Sequence, residues 1–284
     1  MKLLDHQEAL RSWRKEVASA SSVVFVPTMG ALHRGHQSLL ESARTLGDVL
    51  LVSIFVNPLQ FEREDDLVAY PKTMDADLAL LKEVGVDAAY RPSTKDMYPD
   101  GFQVSLAAGP AALRFEGAAR PGHFDGMLTV VHKLFQRCQP HHAVFGQKDA
   151  QQLFMVKRMV EDLDMQVQVH GADTWREPDG LAFSSRNVHL SPPGRQEAIV
   201  LYRALQSAKA AFDAGCRDPR ELESGMKAMF EASQAKLAYA DVISDTDFES
   251  AQAGVSCAWR AVIGARLEGV HLLDNLELGQ VPNS

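Results

Sequence analysis

At 284 residues, 46% hydrophobic and 23% charged, the chain has the length of one large or two unequal domains and enough apolar content to bury a core, which argues against disorder. Its formal charge of −8 and the absence of any dense Lys/Arg tract argue against a polynucleotide partner. The three cysteines, Cys138, Cys216 and Cys257, form no CxxC pair; no apolar stretch approaches the roughly 18 residues of a membrane span, and the N-terminal segment is charged, so a cytoplasmic protein without a membrane partner is expected.

Residues 23–26 and 49–56 are continuous apolar runs rich in β-branched side chains, the pattern of strands buried on both faces of a parallel sheet. Between them Leu39, Leu40, Ala43 and Leu46 recur at helical spacing, which makes a β-α-β unit. The alternation continues with a helix over 75–84, a strand near 88–90, a helix over 129–137, a strand over 142–145, a helix over 150–163 and a strand over 166–169. Strands alternating with helices predict a Rossmann-like, doubly wound parallel α/β sheet. The stretch 173–194 breaks the rhythm with Pro178, Asp179-Gly180, Pro192-Pro193 and Gly194. Helical patterns at 195–213 and 220–235, then strand-like segments at 238–243 and 259–267, predict a smaller C-terminal α+β domain. The expected division is 1–174 for nucleotide and acid binding and 175–284 for a small lid.

The first strand ends in Pro27-Thr28-Met29-Gly30-Ala31-Leu32-His33-Arg34-Gly35-His36, directly before a helical pattern. Ligands of open α/β sheets bind outside the carboxyl ends of strands, which is this position. Gly30 and Gly35 permit close backbone approach, and a helix N-terminus offers N–H groups to an anion. His33 and His36, three apart, can face one point and stabilise charge on a triphosphate as pyrophosphate leaves. The competing readings are two surface histidines or a metal pair, for which no nearby cluster supplies further ligands. Neither GxxxxGK[ST] nor GxGxxG is present, so a P-loop and a standard dinucleotide site lack support.

Two further strand ends carry polar groups. Asn57 and Gln60 offer neutral amides to a hydroxy acid, although a plain Asn57-Pro58 turn would explain Asn57 alone. In Gly146-Gln147-Lys148-Asp149, Lys148 suits a phosphate, and Asp149 suits ribose hydroxyls or a helix cap. Ser184-Ser185-Arg186 offers hydroxyls and a guanidinium to phosphate oxygens; the alternative is an interdomain salt bridge. Arg120 either steadies a substrate carboxylate or pairs with Glu116, and His141-His142 reads as a surface turn.

HxGH after the first strand resembles the nucleotidyltransferase superfamily, which includes class I aminoacyl-tRNA synthetases. Joined by SIFVNPLQF at 53–61, EGAARPGHF at 116–124, FGQKDAQQ at 145–152, DGLAFSSRN at 179–187 and LLDN at 272–275, in that order, it resembles the pantothenate synthetase family. The resemblance implies ATP-dependent condensation of (R)-pantoate with β-alanine to pantothenate, AMP and pyrophosphate through a pantoyl adenylate, in a homodimer. It implies catalytic roles for His33, His36, Lys148 and Arg186. The implied ATP site is Met29, Gly30, Ala31, Leu32, His33, Arg34, Gly35, His36, Gly146, Gln147, Lys148, Asp149, Trp175, Phe183, Ser184, Ser185 and Arg186. Gln60 and Gln152 are the implied pantoate amides, with β-alanine beside Gln60. Trp175 and Phe183 stand where smaller or more flexible residues are usual near adenine. Asp75 and Asp77 resemble an acidic segment linked to Mg²⁺ in some relatives, but Ala76 interrupts it. Mg²⁺ is therefore expected to arrive on the triphosphate, with no protein ligand assigned. Another HxGH adenylyltransferase, a tRNA-charging protein and a non-catalytic nucleotide sensor are the alternatives.

Overall fold

Val23 to Val26 are fully or almost fully buried, and Val24 and Val26 pack into one apolar cluster while Phe25 meets Phe135 edge-on at 6.2 Å. Alternating side chains thus bury both faces of one strand, as the continuous apolar run requires. In the computed structural model, which describes residues 1–61, 67–68, 70–71 and 73–281, this strand is β2 (Val23–Thr28). The others of its sheet are β1 (Lys2–Leu4), β3 (Val49–Ile54), β4 (Ala88–Tyr90), β5 (His142–Gly146) and β6 (Gln168–Ala172). They lie parallel in the order β1-β4-β3-β2-β5-β6. Each fully buried Val or Leu contributes about 1.5–3 kcal/mol over leaving it exposed, so a slip of β2 against β3 would forfeit several such terms.

The chain runs outward from β2 through β3 to β4, then returns to the other side of β2 as β5. The order reverses at β2, which makes the carboxyl ends of β2 and β5 the topological switch point. Helices Arg34–Arg44 and Met74–Glu83 contribute Leu40 and Leu81 to the cluster on one face. Helix His123–Cys138 brings Phe135 to the other.

The chain divides into two units, Met1–Leu113 with Arg120–Gln147 and Met155–Asp173, and Arg114–Ala119 with Lys148–Phe154 and Thr174–Ser284. The second holds an antiparallel sheet of β7 (Lys236–Ser244), β8 (Ala258–Leu267) and β9 (Val270–Gln280). Helices Pro192–Glu197, Val200–Asp213 and Pro219–Ala228 accompany it, with Leu201, Leu205, Phe212, Met226 and Trp259 in the core. Among the described residues no helix is long and apolar enough to cross a membrane.

Several boundaries differ from the sequence reading. The helix expected over 129–137 begins at His123, because left-handed Gly122 (φ 76°) stops the preceding turn. The pattern at 195–213 is two helices broken at 198–199, the first capped by Ser191, whose hydroxyl accepts the Gly194 N–H. The pattern at 220–235 ends as a helix at Ala228, and the strand expected at 166–169 starts at Gln168. Strands β1 and β9 and helix Gln7–Glu16 escape the sequence reading; in β9, His271, Asp274 and Asn275 interrupt the apolar alternation.

Candidate active site

Beyond β2 the backbone turns through Gly30 (φ 83°) and Ala31 (φ 51°), both left-handed. A Cβ on Gly30 would stand 3.0 Å from Asp77 Oδ2 and 3.2 Å from Ile54, so glycine serves both conformation and space there. Asp77, 2% exposed, accepts the Ala31 N–H at 3.0 Å on Oδ2, and the Leu32 N–H at 2.8 Å and the Thr73 hydroxyl at 3.0 Å on Oδ1. Both carboxylate oxygens are thus occupied by donors of the protein itself. Among the described residues no group of three or more His, Cys, Asp or Glu is arranged to hold a metal.

His33 is the N-cap of helix Arg34–Arg44 rather than a member of its first turn. Its Nδ1 accepts the Gly35 N–H at 3.2 Å, while His36 Nδ1 accepts the His33 N–H at 3.3 Å, a reciprocal capping box. The ring centroids are 4.0 Å apart. A nitrogen that accepts is unprotonated, so each neutral ring carries its proton on Nε2. The pair thus supplies two N–H donors beside a helix N-terminus, an arrangement suited to anionic oxygen.

The second strand end is built around Asn57, 1% exposed. Its Oδ1 accepts from the Tyr98 hydroxyl at 2.7 Å and the Leu59 N–H at 3.3 Å; its Nδ2 donates to Gln60 Oε1 at 2.9 Å and Gly126 O at 3.0 Å. All four hydrogen-bonding positions of this amide are taken, which corrects the expectation that Asn57 itself meets a hydroxy acid. The Tyr98 hydroxyl stays protonated, since burial pushes its pKa up. Gln60 has its acceptor end held and its carbonyl gripped by Arg120 Nη2 and His123 Nδ1, each at 3.1 Å. Arg120 Nη1 also lies 3.2 Å from His123 Nε2, and because arginine can only donate, the imidazole proton belongs on Nδ1, facing the Gln60 carbonyl.

Met29 to His36, Gln60, Gly146 and Gln147 belong to the first unit; Lys148, Asp149, Gln152, Trp175, Phe183, Ser184, Ser185 and Arg186 belong to the second. Within the second, the Lys148 carbonyl accepts from Asn275 Nδ2 at 2.9 Å, and Asn275 Oδ1 accepts from Arg260 at 2.8 Å. Neighbouring Asp274, 4% exposed, takes a two-pronged bond from Arg176 at 2.6 and 2.9 Å. Trp175 and Phe183 face each other across a small antiparallel bridge, rings 5.2 Å apart and edge-on. Ser184 caps the turn Ser185–His189, its hydroxyl accepting the Arg186 N–H at 3.2 Å, and Arg186 itself is exposed.

Helix Ala150–Asp162 holds adjacent glutamines of different kinds. Gln151, 4% exposed, is consumed by backbone, accepting the Glu116 N–H and donating to the Arg114 carbonyl, both at 3.0 Å; Gln152 is half-buried. Glu116 accepts from the Tyr239 hydroxyl and His271 Nε2, each at 2.8 Å. Burial, and then the Glu116 carboxylate, hold the Tyr239 phenol well above its ordinary pKa. Sequence reasoning missed the roles of Asp77, Tyr98, His123, Tyr239, His271 and Asn275; the acidic segment at Asp75 and Asp77, the EGAARPGHF motif around His123 and the LLDN segment around Asn275 carried a signal, and Tyr98, Tyr239 and His271 had none.

The chain matches the family model described as pantoate-beta-alanine ligase over residues 2–277. It is 48% identical over 267 residues to the pantothenate synthetase of Acidothermus cellulolyticus, covering 92% of this chain and 87% of that one. The crystal structure of pantothenate synthetase from Thermus thermophilus superimposes with a TM-score of 0.91 at 40% identity, covering 98% of this chain and all of that one (100%). That of a pantoate-β-alanine ligase from Francisella tularensis, complexed with β-γ ATP and β-alanine, gives 0.81 at 34% identity and 98% coverage of both.

Proposed function

The chain belongs to the pantoate-β-alanine ligase family, and from that premise we propose that it joins (R)-pantoate to β-alanine while converting ATP to AMP and pyrophosphate. The observation that carries the reading is the His33/His36 pair, two Nε2–H donors at a helix N-terminus beyond the central strand.

In the first half-reaction the pantoate carboxylate attacks the α-phosphate in line, and pyrophosphate leaves. His33 and His36, with the cationic Lys148 and Arg186 and the Ser185 hydroxyl, offset the charge that grows on the phosphates. In the second, the β-alanine amine attacks the acyl carbon of the pantoyl adenylate and AMP departs. Both nucleophiles belong to the substrates, so no side chain becomes covalently attached, and catalysis is positioning plus electrostatics. Gln60 and Gln152 are the pantoate amides, and β-alanine lies by Gln60. Met29 to His36, Gly146, Gln147, Asp149, Trp175, Phe183 and Ser184 complete the ATP contacts. Mg²⁺ belongs to the MgATP substrate. The family resemblance extends the proposal to a homodimer; the proposal also carries the boundary near 174/175 read from the sequence pattern, with Arg114–Ala119 and Lys148–Phe154 joined to the second unit, and a cytoplasmic location.

Pantoate labelled with ¹⁸O in its carboxyl group tests the scheme. One labelled oxygen must pass to AMP; label in inorganic phosphate, or ADP as product, would overturn it. His36→Ala should slow pantoate-dependent exchange of pyrophosphate into ATP by about 10²-fold, the typical effect of removing one transition-state donor.

A further inference from the structure

We infer that Asp77 is the positioning residue of the histidine pair: its buried carboxylate fixes the Gly30–Leu32 turn and thereby sets where His33 and His36 stand. The inference rests on the proposed phosphate role of those histidines. Ala31 at φ 51° occupies backbone space that L-residues rarely adopt, so something outside the turn must hold it there. Asp77 reaches both of the turn's amides, accepting from Ala31 and Leu32, while the Thr73 hydroxyl steadies the same carboxylate from the start of helix Met74–Glu83. At 2% exposure these are charge-assisted bonds out of water, which tolerate little drift.

The grip lies one peptide from the chemistry. Leu32 N–H is held by Asp77, the next N–H, that of His33, is held by His36 Nδ1, and His33 Nδ1 holds Gly35. A shift of the turn therefore carries both rings with it, and reacting groups misplaced by about 1 Å can cost 10²-fold in rate. Two consequences separate this role from a metal-binding one. Asp75, two residues earlier, is exposed and points to another side of the helix, so the two carboxylates do not converge. The Ala31 and Leu32 amides are engaged by Asp77, so anionic oxygen at this end of the sheet is met by imidazole N–H groups rather than by these amides.

Asp77→Asn keeps the volume but turns an NH₂ toward a backbone N–H. Pantoate-dependent pyrophosphate exchange should fall by about 10- to 100-fold, while calorimetric pantoate affinity stays within about twofold, since the Gln60 region is untouched. The histidines should also become uncoupled from catalysis: His36→Ala, worth about 10² in the native background, should cost less than about tenfold beside Asp77→Asn. Thr73→Val, which removes one donor and no charge, should give the same non-additivity at smaller amplitude and serves if Asp77→Asn fails to fold. Ring ¹⁵N spectra of the ligand-free protein should show the Nε2–H form of both histidines, lost in Asp77→Asn. Additive losses, unchanged ring spectra, or recovery at high Mg²⁺ would each overturn the inference. A native protein with the expected ring spectra but no exchange would instead overturn the proposed function.

Discussion

Asn57 donates to Gln60 at 2.9 Å with the same amide nitrogen that holds the Gly126 carbonyl. One buried amide therefore decides which end of Gln60 is engaged, so the proposed pantoate contact falls to Gln60 Nε2. Asn57→Asp replaces that nitrogen by an oxygen facing two acceptors. Stability should drop by about 1–3 kcal/mol for each group left unpaired, read by urea unfolding, and pantoate affinity should fall at least several-fold by calorimetry. A variant matching the native protein in both would remove Asn57 from the substrate scaffold.

Gly126 makes that scaffold possible. A Cβ there would lie 2.1 Å from the Leu59 carbonyl oxygen and 2.5 Å from its carbon, backbone atoms that cannot rotate aside. Gly126→Ala should destabilise by about 1–3 kcal/mol, the usual result of overpacking. It should raise KM for pantoate more than KM for ATP, because the Asn57–Gln60 turn is what must move. Equal effects on both substrates would show that the strain spreads to the histidine turn instead.

The first-unit scaffold and the second-unit cluster were legible to very different degrees. Long apolar runs announce β2 and β3, and the polar segments beyond them announce strand ends, because burial and turn chemistry are local in sequence. Asp77 reaches Ala31 across 46 residues, Glu116 reaches Tyr239 across 123 and His271 across 155. No periodicity encodes such a pairing. In β9 the inward polar residues also erased the alternation that would have identified the strand.

The Glu116 cluster should be a stability element of the second unit. Tyr239→Phe leaves the carboxylate with His271 and should cost about 1 kcal/mol, whereas Glu116→Ala strands a buried hydroxyl and imidazole and should cost about 3–5 kcal/mol. Thermal and urea unfolding of both variants test the order. Equal losses would mean that His271 contributes nothing to holding Glu116.

On strands β5 and β6, His142 Nδ1 and His170 Nε2 lie 3.1 Å apart, a contact that needs one ring to be neutral. Burial, then His142 and Lys157, hold the His170 pKa below its ordinary value. With the folded pKa below the unfolded one, the unfolded chain binds more protons as pH falls through the unfolded pKa of about 6.5. Stability is therefore retained above that pH and declines below it. Melting temperature should fall between about pH 7.5 and 5, and His170→Gln should flatten the decline; a parallel profile for both proteins would place the acid sensitivity elsewhere.

The bond from Asn275 to the Lys148 carbonyl spans 127 residues, and that from Arg176 to Asp274 spans 98. On the ribosome, Lys148 and Arg176 emerge long before the strand that fixes them. The second unit consequently has to wait for β9 before either residue reaches its final place, while the elements up to β6 already have all the strands of their own sheet. Contacts of such sequence separation form late and slowly. Nascent chains arrested before residue 270 should thus hold a protease-resistant first sheet alongside a protease-sensitive segment from 174 onward.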